Sequence, residues 1–201
     1  MYDVTIIGAG VVGSMIARTL SAYDLKVCVI EKENDVAMGA SKANSAIVHA
    51  GFDAEVGSMK AKLNVKGSKM MEKVANELGV KYKKNGSLVV GFNDEDKETI
   101  KGLYERGNAN GVEGLRILSQ KEVRDLEPNI ADEVVSALYA PTGAIICPYE
   151  LTVAAMGNAM DNDVELRLNF KVQCITRNEN VYEIKSDYRH LILFNKHFHF
   201  L

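Results

Sequence analysis

Short apolar runs alternate with longer amphipathic segments along the chain, and the N-terminal segment sets the pattern. Residues 4–7 are a continuous apolar run rich in β-branched side chains, which is typical of a strand buried on both faces of a sheet. A helical pattern continues to Leu20, and a second apolar run occupies residues 26–30. A strand, a helix and a second strand within about 30 residues predict one βαβ unit.

The segment that follows predicts a long loop and then a helix with one apolar side. Residues 33–55 lack periodicity and are rich in small side chains, so they predict a functional loop with a short strand near residues 46–48. Residues 57–78 predict a helix, and we interpret its apolar side as core packing by flexible side chains. That side carries Met59, Leu63, Met70, Val74 and Leu78.

The middle of the chain mixes short strands with charged helices before the first pattern returns. Strands are predicted over 86–92, 115–118 and 134–139, and a charged helix over 94–110. Ser119-Gln-Lys-Glu122 fits a capping box that opens a further helix. The first pattern then resumes with a helix over 148–161, a strand over 164–175 and a returning strand over 181–184.

This order predicts an α/β fold in which a Rossmann-like domain is interrupted by part of a mixed α+β domain. The first domain takes residues 1–79 and 147–186, and the interrupting domain takes residues 80–146. Residues 187–201 are expected to form an atypical C-terminal tail.

Composition and charge exclude several classes of protein. The chain has 201 residues, of which 47% are hydrophobic and 25% are charged, and this is a globular composition. Asp and Glu outnumber Lys and Arg by 27 to 24, so no basic excess supports nucleic-acid binding. No apolar run approaches the ~18 residues of a membrane span, and the N-terminus lacks the basic flank of a signal peptide. We therefore expect a cytoplasmic protein with no transmembrane segment and no nucleic-acid partner.

The cysteines agree with a reducing compartment. Cys28, Cys147 and Cys174 are far apart and form no CxxC pair. We interpret them as buried free thiols, with a disulfide or a metal site as the less favoured alternative.

A glycine-rich turn at the end of the first predicted strand carries the candidate chemistry. Gly8, Gly10 and Gly13 follow the GxGxxG spacing between an apolar strand and a helix. Gly8 permits the tight turn, Gly10 leaves room for a pyrophosphate, and Gly13 lets the helix pack closely on the strand. The helix N-terminus then presents free N–H groups and the positive end of its dipole to the phosphates.

An acidic residue at the end of the second predicted strand completes this fingerprint. Glu31 follows the glycine turn at the distance where a carboxylate accepts hydrogen bonds from the ribose hydroxyls. The same negative charge disfavours a 2′-phosphate and therefore NADP. NAD and FAD share the fingerprint, and a glycine turn that binds nothing is the remaining alternative.

The residues after Glu31 distinguish between NAD and FAD as the cofactor. They are Lys32, the small-residue loop Gly39-Ala-Ser-Lys-Ala-Asn-Ser45, and Ile47-Val-His-Ala-Gly51. An NAD-dependent dehydrogenase normally continues directly into more strand and helix. The chain instead resembles the D-amino-acid oxidase-like, glutathione-reductase-type superfamily of FAD-dependent oxidoreductases over about residues 1–186.

Two further segments support this resemblance, and one short pattern narrows it. Leu126-Glu-Pro-Asn129 and Gly143-Ala-Ile-Ile-Cys-Pro148 are similar to segments of that superfamily, although Cys147 stands where an Asp or a Ser is frequent. Asn44, Ser45 and His49 are similar to a pattern of the glycerol-3-phosphate dehydrogenase and 2-hydroxyglutarate oxidase branch.

The resemblance implies FAD as the cofactor, a substrate domain that begins near residue 80, and no metal. His49 would lie near the flavin ring or the substrate as the candidate catalytic residue, with polar packing as its alternative. Residues 164–175 would form the third strand of the FAD domain, so that the backbone of Val172 pairs with the adenine edge. The implied cofactor-binding residues are Gly8, Ala9, Gly10, Val12, Gly13, Glu31, Lys32, Ser41, Asn44, Ser45 and Val172.

The implied activity is oxidation of a small 2-hydroxy acid or a glycerol 3-phosphate-like substrate by hydride transfer to the flavin. A non-catalytic nucleotide-binding fragment or subunit and an NAD-dependent dehydrogenase stay open as alternatives. The expected partner is a small-molecule substrate, and an electron-acceptor protein or quinone and a homo-oligomer are left open.

The tail is interpreted either as an ordinary terminal strand or as a segment foreign to the family pattern. Residues 187–201 contain His190, His197 and His199, three of the six Phe residues, and no Gly or Ala. The H-x-H spacing has no carboxylate or thiol placed to complete a metal site. Neither a second glycine-rich segment nor the further strands of a doubly wound domain follow residue 184. We therefore expect an incomplete enzyme whose C-terminal part is absent, with weak FAD retention and no turnover by this polypeptide alone.

Overall fold

The computed structural model groups the chain into two compact units. It describes residues 1–179, 181–187 and 191–200, and for the last of these ranges only the backbone. The first unit comprises Met1–Ser45, Leu78–Val80 and Cys147–Leu201, and the second comprises Ala46–Glu77 and Lys81–Ile146. These units divide the chain differently from the domain ranges expected from the sequence, since residues 46–77 join the middle of the chain.

Helices and strands alternate along the described residues. The helices are α1 (Val11–Leu20), α2 (Met59–Glu77), α3 (Asp94–Ala109), α4 (Gln120–Leu126) and α5 (Pro148–Met160), and a 3-10 turn occupies Ala40–Lys42. The strands are β1 (Tyr2–Ile7), β2 (Val27–Ile30), β3 (Ile47–Val48), β4 (Tyr82–Lys83), β5 (Ser87–Gly91), β6 (Arg116–Ser119), β7 (Ser136–Ala140), β8 (Ala144–Ile146), β9 (Glu165–Arg167), β10 (Val172–Asn178), β11 (Val181–Ser186) and β12 (Leu191–Phe200).

The first unit is built on one six-stranded sheet in the order β10-β11-β12-β1-β2-β9. The neighbours β12 and β1, β1 and β2, and β2 and β9 are parallel, whereas β10, β11 and β12 pair antiparallel. The predicted βαβ unit and the α/β fold are therefore confirmed.

Strand β2 is buried on both faces, as its unbroken apolar sequence predicts. Val27 and Val29 pack into one cluster with side chains of α1 and α5, while Cys28 and Ile30 pack into a second cluster with Phe170 of the segment after β9. Burying each such aliphatic side chain stabilises the fold by about 1.5–3 kcal/mol. These two clusters fix the ends of β1 and β2, where the glycine turn lies.

The strand predicted over residues 164–175 is wrong, because the structure divides it into β9 and β10. The break is at Asn169, which has a φ of 56°, a conformation that asparagine tolerates better than most residues. The Asn169 and Phe170 N–H groups donate to the carbonyl oxygens of Glu33 and Glu31, at 2.9 and 2.8 Å. These bonds turn the chain across the end of β2, so Val172 lies on β10 rather than on the parallel strand.

A terminal strand, one of the two interpretations of the tail, forms as β12, so a further strand does follow the hairpin. The backbone of β12 pairs in parallel with β1 at Val4–Ile7 and antiparallel with β11 at Tyr182–Lys185. The C-terminal segment therefore occupies a position inside the sheet. His190 lies outside the described residues.

The second unit contains two small sheets and three helices. One sheet has the order β3-β8-β4 and the other β5-β7-β6. The three strands of the second sheet were all predicted, whereas β4 and β8 of the first sheet were missed. The capping box of α4 is confirmed: the Ser119 side chain accepts from the Glu122 N–H, and the Glu122 side chain accepts from the Ser119 N–H.

Helix α2 forms where it was predicted, but most of its apolar side is exposed. Met59, Leu63 and Met70 are 67%, 60% and 52% exposed. The buried residues of α2 are Ala61 and Ala75, on the side with smaller side chains. The interpretation of this side as core packing is therefore wrong for Met59, Leu63 and Met70, whereas Val74 and Leu78 on the same side are half-buried.

The cysteines differ in burial. All three are free thiols, with Cys28 buried, Cys147 half-buried and Cys174 exposed. The expectation of a buried thiol is wrong for Cys174 because β10 is the edge strand of its sheet. Among the residues that the structure describes, no helix has both the length and the apolar character that a bilayer crossing requires.

Candidate functional site

The site in the first unit begins at the turn between β1 and α1. Gly8 has a φ of 106°, which an L side chain would strain, and its N–H donates to the Ile30 carbonyl at 2.8 Å. That bond holds the turn against the end of β2. The Ala9 carbonyl accepts from the Ala37 N–H at 3.0 Å, so the turn is also bound to the loop that follows β2.

Gly10 and Gly13 leave this turn free of side chains. A Cβ added to Gly13 would lie 2.0 Å from the Gly8 carbonyl oxygen, a contact with backbone that no side-chain rotation relieves. A Cβ on Gly10 would lie 3.2 Å from the Ser41 Oγ, between the turn and the loop after β2. The predicted need for glycine at Gly13 is thus a packing requirement between α1 and β1.

The N-terminus of α1 offers backbone donors to an anion. The Val11 N–H donates to the Ser41 Oγ at 2.9 Å. The N–H groups of Val12 and Gly13 lie in the first helical turn, where helix geometry supplies no carbonyl partner. The first turn carries no acidic side chain, so the positive end of the helix dipole is not neutralised there.

Glu31 connects the glycine turn to the end of β2. Its Oε2 accepts from the Ala9 N–H at 2.8 Å, and its Oε1 accepts from the Glu33 N–H at 3.0 Å. Each carboxylate oxygen retains a further lone pair for a ligand hydroxyl. Lys32 is exposed and pairs with Glu33 at 3.5 Å, which is a surface ion pair of small energetic value.

The loop after β2 closes over the turn. The Asn44 Nδ2 donates to the carbonyl oxygens of Ala40 and Ser41, at 3.0 and 3.1 Å, and so holds the 3-10 turn that presents Ser41. Ser45 is exposed at the end of this loop.

The loop after β2 and the glycine turn together enclose a cleft of about 320 Å³. It is lined by Ile7, Gly8, Gly10, Val11, Val12, Gly13, Ala40, Ser41 and Asn44. The structure therefore brings together most of the residues that the sequence assigned to the cofactor. A side-chain-free turn, two helix N–H donors and an adjacent carboxylate fit a pyrophosphate and its ribose.

Neither Val172 nor His49 is among the residues that line this cleft. Val172 is half-buried on β10 and pairs with Ser186 of β11. His49 is exposed in the second unit, where it lines a cavity of about 120 Å³ with Phe52, Asp53 and Lys60 among its neighbours. The roles of Val172 at the adenine edge and of His49 in catalysis stay predictions.

Asn110, which the sequence did not single out, orders the segment after His49. Its Nδ2 donates to the carbonyl oxygens of Gly51 and Ala54, at 3.1 and 2.8 Å. No local pattern marks this residue, because its partners are more than 50 positions away in the chain.

A polar cluster in the first unit was also missed. The Tyr2 hydroxyl donates to Glu165 Oε2, while Arg167 donates through Nε to Glu165 Oε1 and through Nη2 to the Tyr2 Oη, both at 2.8 Å. The bond from Tyr2 and the Arg167 guanidinium hold the pKa of Glu165 below its usual value. Burial raises the pKa of Tyr2, and it raises the pKa of the nearby Cys28 thiol to about 12. None of these residues lines the cleft at the glycine turn, and we assign the cluster to stability.

Comparison with known proteins gives consistent matches along nearly the whole chain. A profile of the family described as FAD dependent oxidoreductase matches residues 3–193. Glycerol 3-phosphate dehydrogenase of Caloramator mitchellensis is 50% identical over 184 residues, which are 92% of this chain and 38% of that protein. L-2-hydroxyglutarate dehydrogenase, mitochondrial, of Dictyostelium discoideum is 35% identical over 189 residues, which are 90% of this chain and 42% of that protein.

Solved structures share the fold. L-alpha-glycerophosphate oxidase of Mycoplasma pneumoniae, determined with FAD bound, superposes with a TM-score of 0.89 at 30% identity, covering 99% of this chain and 52% of that one. Glycine oxidase of Bacillus cereus superposes with a TM-score of 0.84 at 24% identity, over 100% of this chain and 55% of that one, a likeness of fold alone. The chain thus spans about two fifths of the length of these curated relatives and about half of these solved chains.

Proposed function

Because the chain belongs to the family of FAD-dependent oxidoreductases, we propose that its glycine turn and Glu31 hold the adenine-nucleotide end of FAD in an enzyme of family length. The observation that carries this proposal is the cleft at the start of α1, which joins a turn free of side chains to helix N–H donors and a carboxylate. These are the groups that a pyrophosphate and a ribose need.

Each residue of the cleft has a distinct task in this proposal. The N–H groups of Val12 and Gly13 donate to phosphate oxygens, and Gly10 lets those oxygens approach the backbone. Ser41 holds the first turn of α1 through the Val11 N–H. Glu31 accepts from the ribose hydroxyls while it keeps the Ala9 N–H in place. We also propose that Ala9, Lys32, Asn44, Ser45 and Val172 line the path of the cofactor.

For the substrate we propose glycerol 3-phosphate first and a small 2-hydroxy acid second. The 50% identity to a glycerol 3-phosphate dehydrogenase, against 35% to an L-2-hydroxyglutarate dehydrogenase, supports this order. When bound, FAD accepts a hydride from the C–H bond beside the substrate hydroxyl. His49 is the residue of this chain that we propose to contact the substrate or the flavin ring, and a cytoplasmic location stays a prediction.

The activity is proposed for a family-length protein, since the chain spans 38% of its relative from Caloramator mitchellensis. For the 201-residue polypeptide by itself we expect weak FAD retention and no turnover. The remaining part of the relative, which has no counterpart in this alignment, would supply the other groups of the substrate site.

A chimera tests this proposal. Residues 1–186 of this chain replace the matched segment of the Caloramator mitchellensis relative, and the purified protein is assayed for bound flavin and for dye reduction. We expect stoichiometric FAD and reduction by glycerol 3-phosphate. The His49→Ala chimera should retain FAD and be reduced more slowly, whereas the Gly10→Val chimera should lose FAD.

Two other outcomes of this experiment would favour the alternative functions. Flavin that is retained but reduced by neither glycerol 3-phosphate nor 2-hydroxyglutarate would favour a non-catalytic nucleotide-binding role. NADH formation by a protein without visible flavin absorbance would favour an NAD-dependent dehydrogenase and contradict the proposal.

A further inference from the structure

His49 lies between two anchored neighbours in the second unit. Val48 and Ala50 are buried, whereas His49 is exposed, as the alternation of side chains along an extended segment requires. Val48 also pairs with Ala144 in the sheet that contains β3 and β8. The sheet therefore fixes the chain before His49, and the next four residues, 51–54, determine its path after that residue.

The C-terminal end of α3 donates three hydrogen bonds to these four residues. The Asn110 Nδ2 donates to the carbonyl oxygens of Gly51 and Ala54, at 3.1 and 2.8 Å. The Arg106 Nη1 donates to the Asp53 carbonyl oxygen at 3.1 Å. Two side chains of one helix, which we call the α3 donors, therefore bind most of the backbone acceptors of this segment.

Close packing adds to these bonds. A Cβ added to Gly107 of α3 would lie 2.8 Å from the Phe52 Cβ, so the backbone of the helix contacts the segment directly. Gly51 has a φ of 109°, and a Cβ added there would lie 2.6 Å from the Val65 Cγ2 of α2. The segment is therefore held on one side by α2 and on the other by α3.

The same segment forms part of the cavity that contains His49. Phe52, Asp53 and Ala54 line this cavity of about 120 Å³ together with His49. The α3 donors are not among its lining residues. Their effect on a ligand in the cavity would therefore pass through the segment and through the placement of the His49 imidazole.

We propose that Asn110 and Arg106 are positioning residues for the reaction of a family-length enzyme, where they set the placement of His49 against the substrate or the flavin ring. This inference rests on the proposed function, in which His49 makes that contact. A displacement of a reacting or orienting group by about 1 Å lowers a rate by about 100-fold. The alternative is a purely structural role, which would stabilise the second unit without any dependence on His49.

Proteolysis of the 201-residue chain tests whether the α3 donors hold the segment. Asn110→Asp keeps the size of the side chain but places an acceptor against two carbonyl oxygens, so chymotrypsin should cleave after Phe52 about tenfold faster than in the parent. Asn108→Asp is the matched control, because the Asn108 Nδ2 donates to the Tyr104 carbonyl within α3, and it should be cleaved like the parent. Cleavage after Phe92, which is 51% exposed, provides an internal standard.

A double-mutant cycle in the chimera described above tests the effect on the reaction. Asn110→Asp should lower kcat for reduction by glycerol 3-phosphate about tenfold at an unchanged FAD content. The same substitution should have no further effect in the His49→Ala chimera, because the group that it positions is then absent. A residue that acts on stability alone would change both chimeras by the same factor. The Asn108→Asp chimera should be reduced like the parent.

Arg106 provides a second variant if Asn110→Asp does not keep the thermal midpoint of the parent. Its side chain is exposed, so Arg106→Met should leave the fold intact and lower kcat about threefold through the loss of one hydrogen bond. Arg106→Lys retains a donor and should be reduced nearly as fast as the parent.

Several results would overturn the inference while the parent chimera is still reduced and the proposed function stands. They are equal cleavage after Phe52 in the parent and the Asn110 variant, a kcat that the variants of both α3 donors leave unchanged, and a loss of kcat that is equal with and without His49. A parent chimera that neither glycerol 3-phosphate nor 2-hydroxyglutarate reduces would contradict the proposed function itself, and this inference would be overturned with it.

Discussion

The Glu31 carboxylate accepts a hydrogen bond from the Ala9 N–H at 2.8 Å and so joins the end of β2 to the glycine turn after β1. Its second oxygen accepts from the Glu33 N–H, so the same side chain shapes the start of the next loop. A residue that the sequence marks as a ribose ligand is therefore also a part of the turn that would bind the phosphates.

Replacing Glu31 by Ala should weaken both folding and FAD binding. Two backbone donors lose a charged acceptor, so the free energy of unfolding should fall by about 1.5–3 kcal/mol in urea titrations. Glu33→Ala is the matched control, because it removes a carboxylate whose ion pair with Lys32 is exposed. FAD binding by Glu31→Ala equal to that of the parent would refute the ribose assignment.

Gly13→Ala should destabilise the first unit. Its Cβ would lie 2.0 Å from the Gly8 carbonyl oxygen, and separating α1 from β1 should cost about 1–3 kcal/mol. Gly102→Ala on α3 meets nothing within 4 Å and should raise stability by about 0.5–1 kcal/mol instead. Chemical denaturation measures both values, and equal effects at the two sites would show that α1 does not need close contact with the turn.

Acid should remove the stabilisation that Glu165 contributes. The Tyr2 hydroxyl and the Arg167 guanidinium hold its pKa below the ordinary value in the folded state. A depressed folded pKa stabilises the protein above the unfolded pKa of about 4.3, and this contribution is lost as the pH falls through the folded value. The thermal midpoints of the parent and of Tyr2→Phe should therefore differ most near neutral pH and converge below about pH 4. A difference that stays constant across this range would contradict the assigned role of Glu165.

Alkylation should distinguish two of the cysteines. Burial raises the pKa of the Cys28 thiol to about 12, so almost no thiolate is present at neutral pH, and its side chain is inaccessible. Cys174 is exposed on an edge strand. Peptide mass spectrometry after brief treatment with iodoacetamide should find Cys174 modified and Cys28 unmodified in the native protein, with both modified in urea. Modification of Cys28 under native conditions would show that the sheet opens around β2.

Local sequence determines the part of the site that was predicted. The features of the glycine site are the apolar run of β1, the glycines and Glu31, and all of them contact residues of the same βαβ unit. The capping box at Ser119 and Glu122 lies within one helical turn. These features need no knowledge of distant residues.

The features that were missed depend on distant partners. The break at Asn169 is decided by carbonyl oxygens of Glu31 and Glu33, more than 130 positions earlier, while the alternation of residues 164–175 suggests an unbroken strand. The bond between Tyr2 and Glu165 requires the pairing of β9 beside β2. For α2, the period of the pattern identifies the helix, but it does not identify which surface covers each side.

A fluorescence titration of FAD with the 201-residue chain and with Gly10→Val tests the central claim most directly. The account predicts saturable binding to the parent chain, competition by ADP and not by FMN, and at least about tenfold weaker binding to Gly10→Val, because a side chain there occupies the space of the pyrophosphate. Equal affinity of the two proteins for FAD, or competition by FMN and not by ADP, would contradict the claim that the glycine turn holds the adenine-nucleotide end of the cofactor.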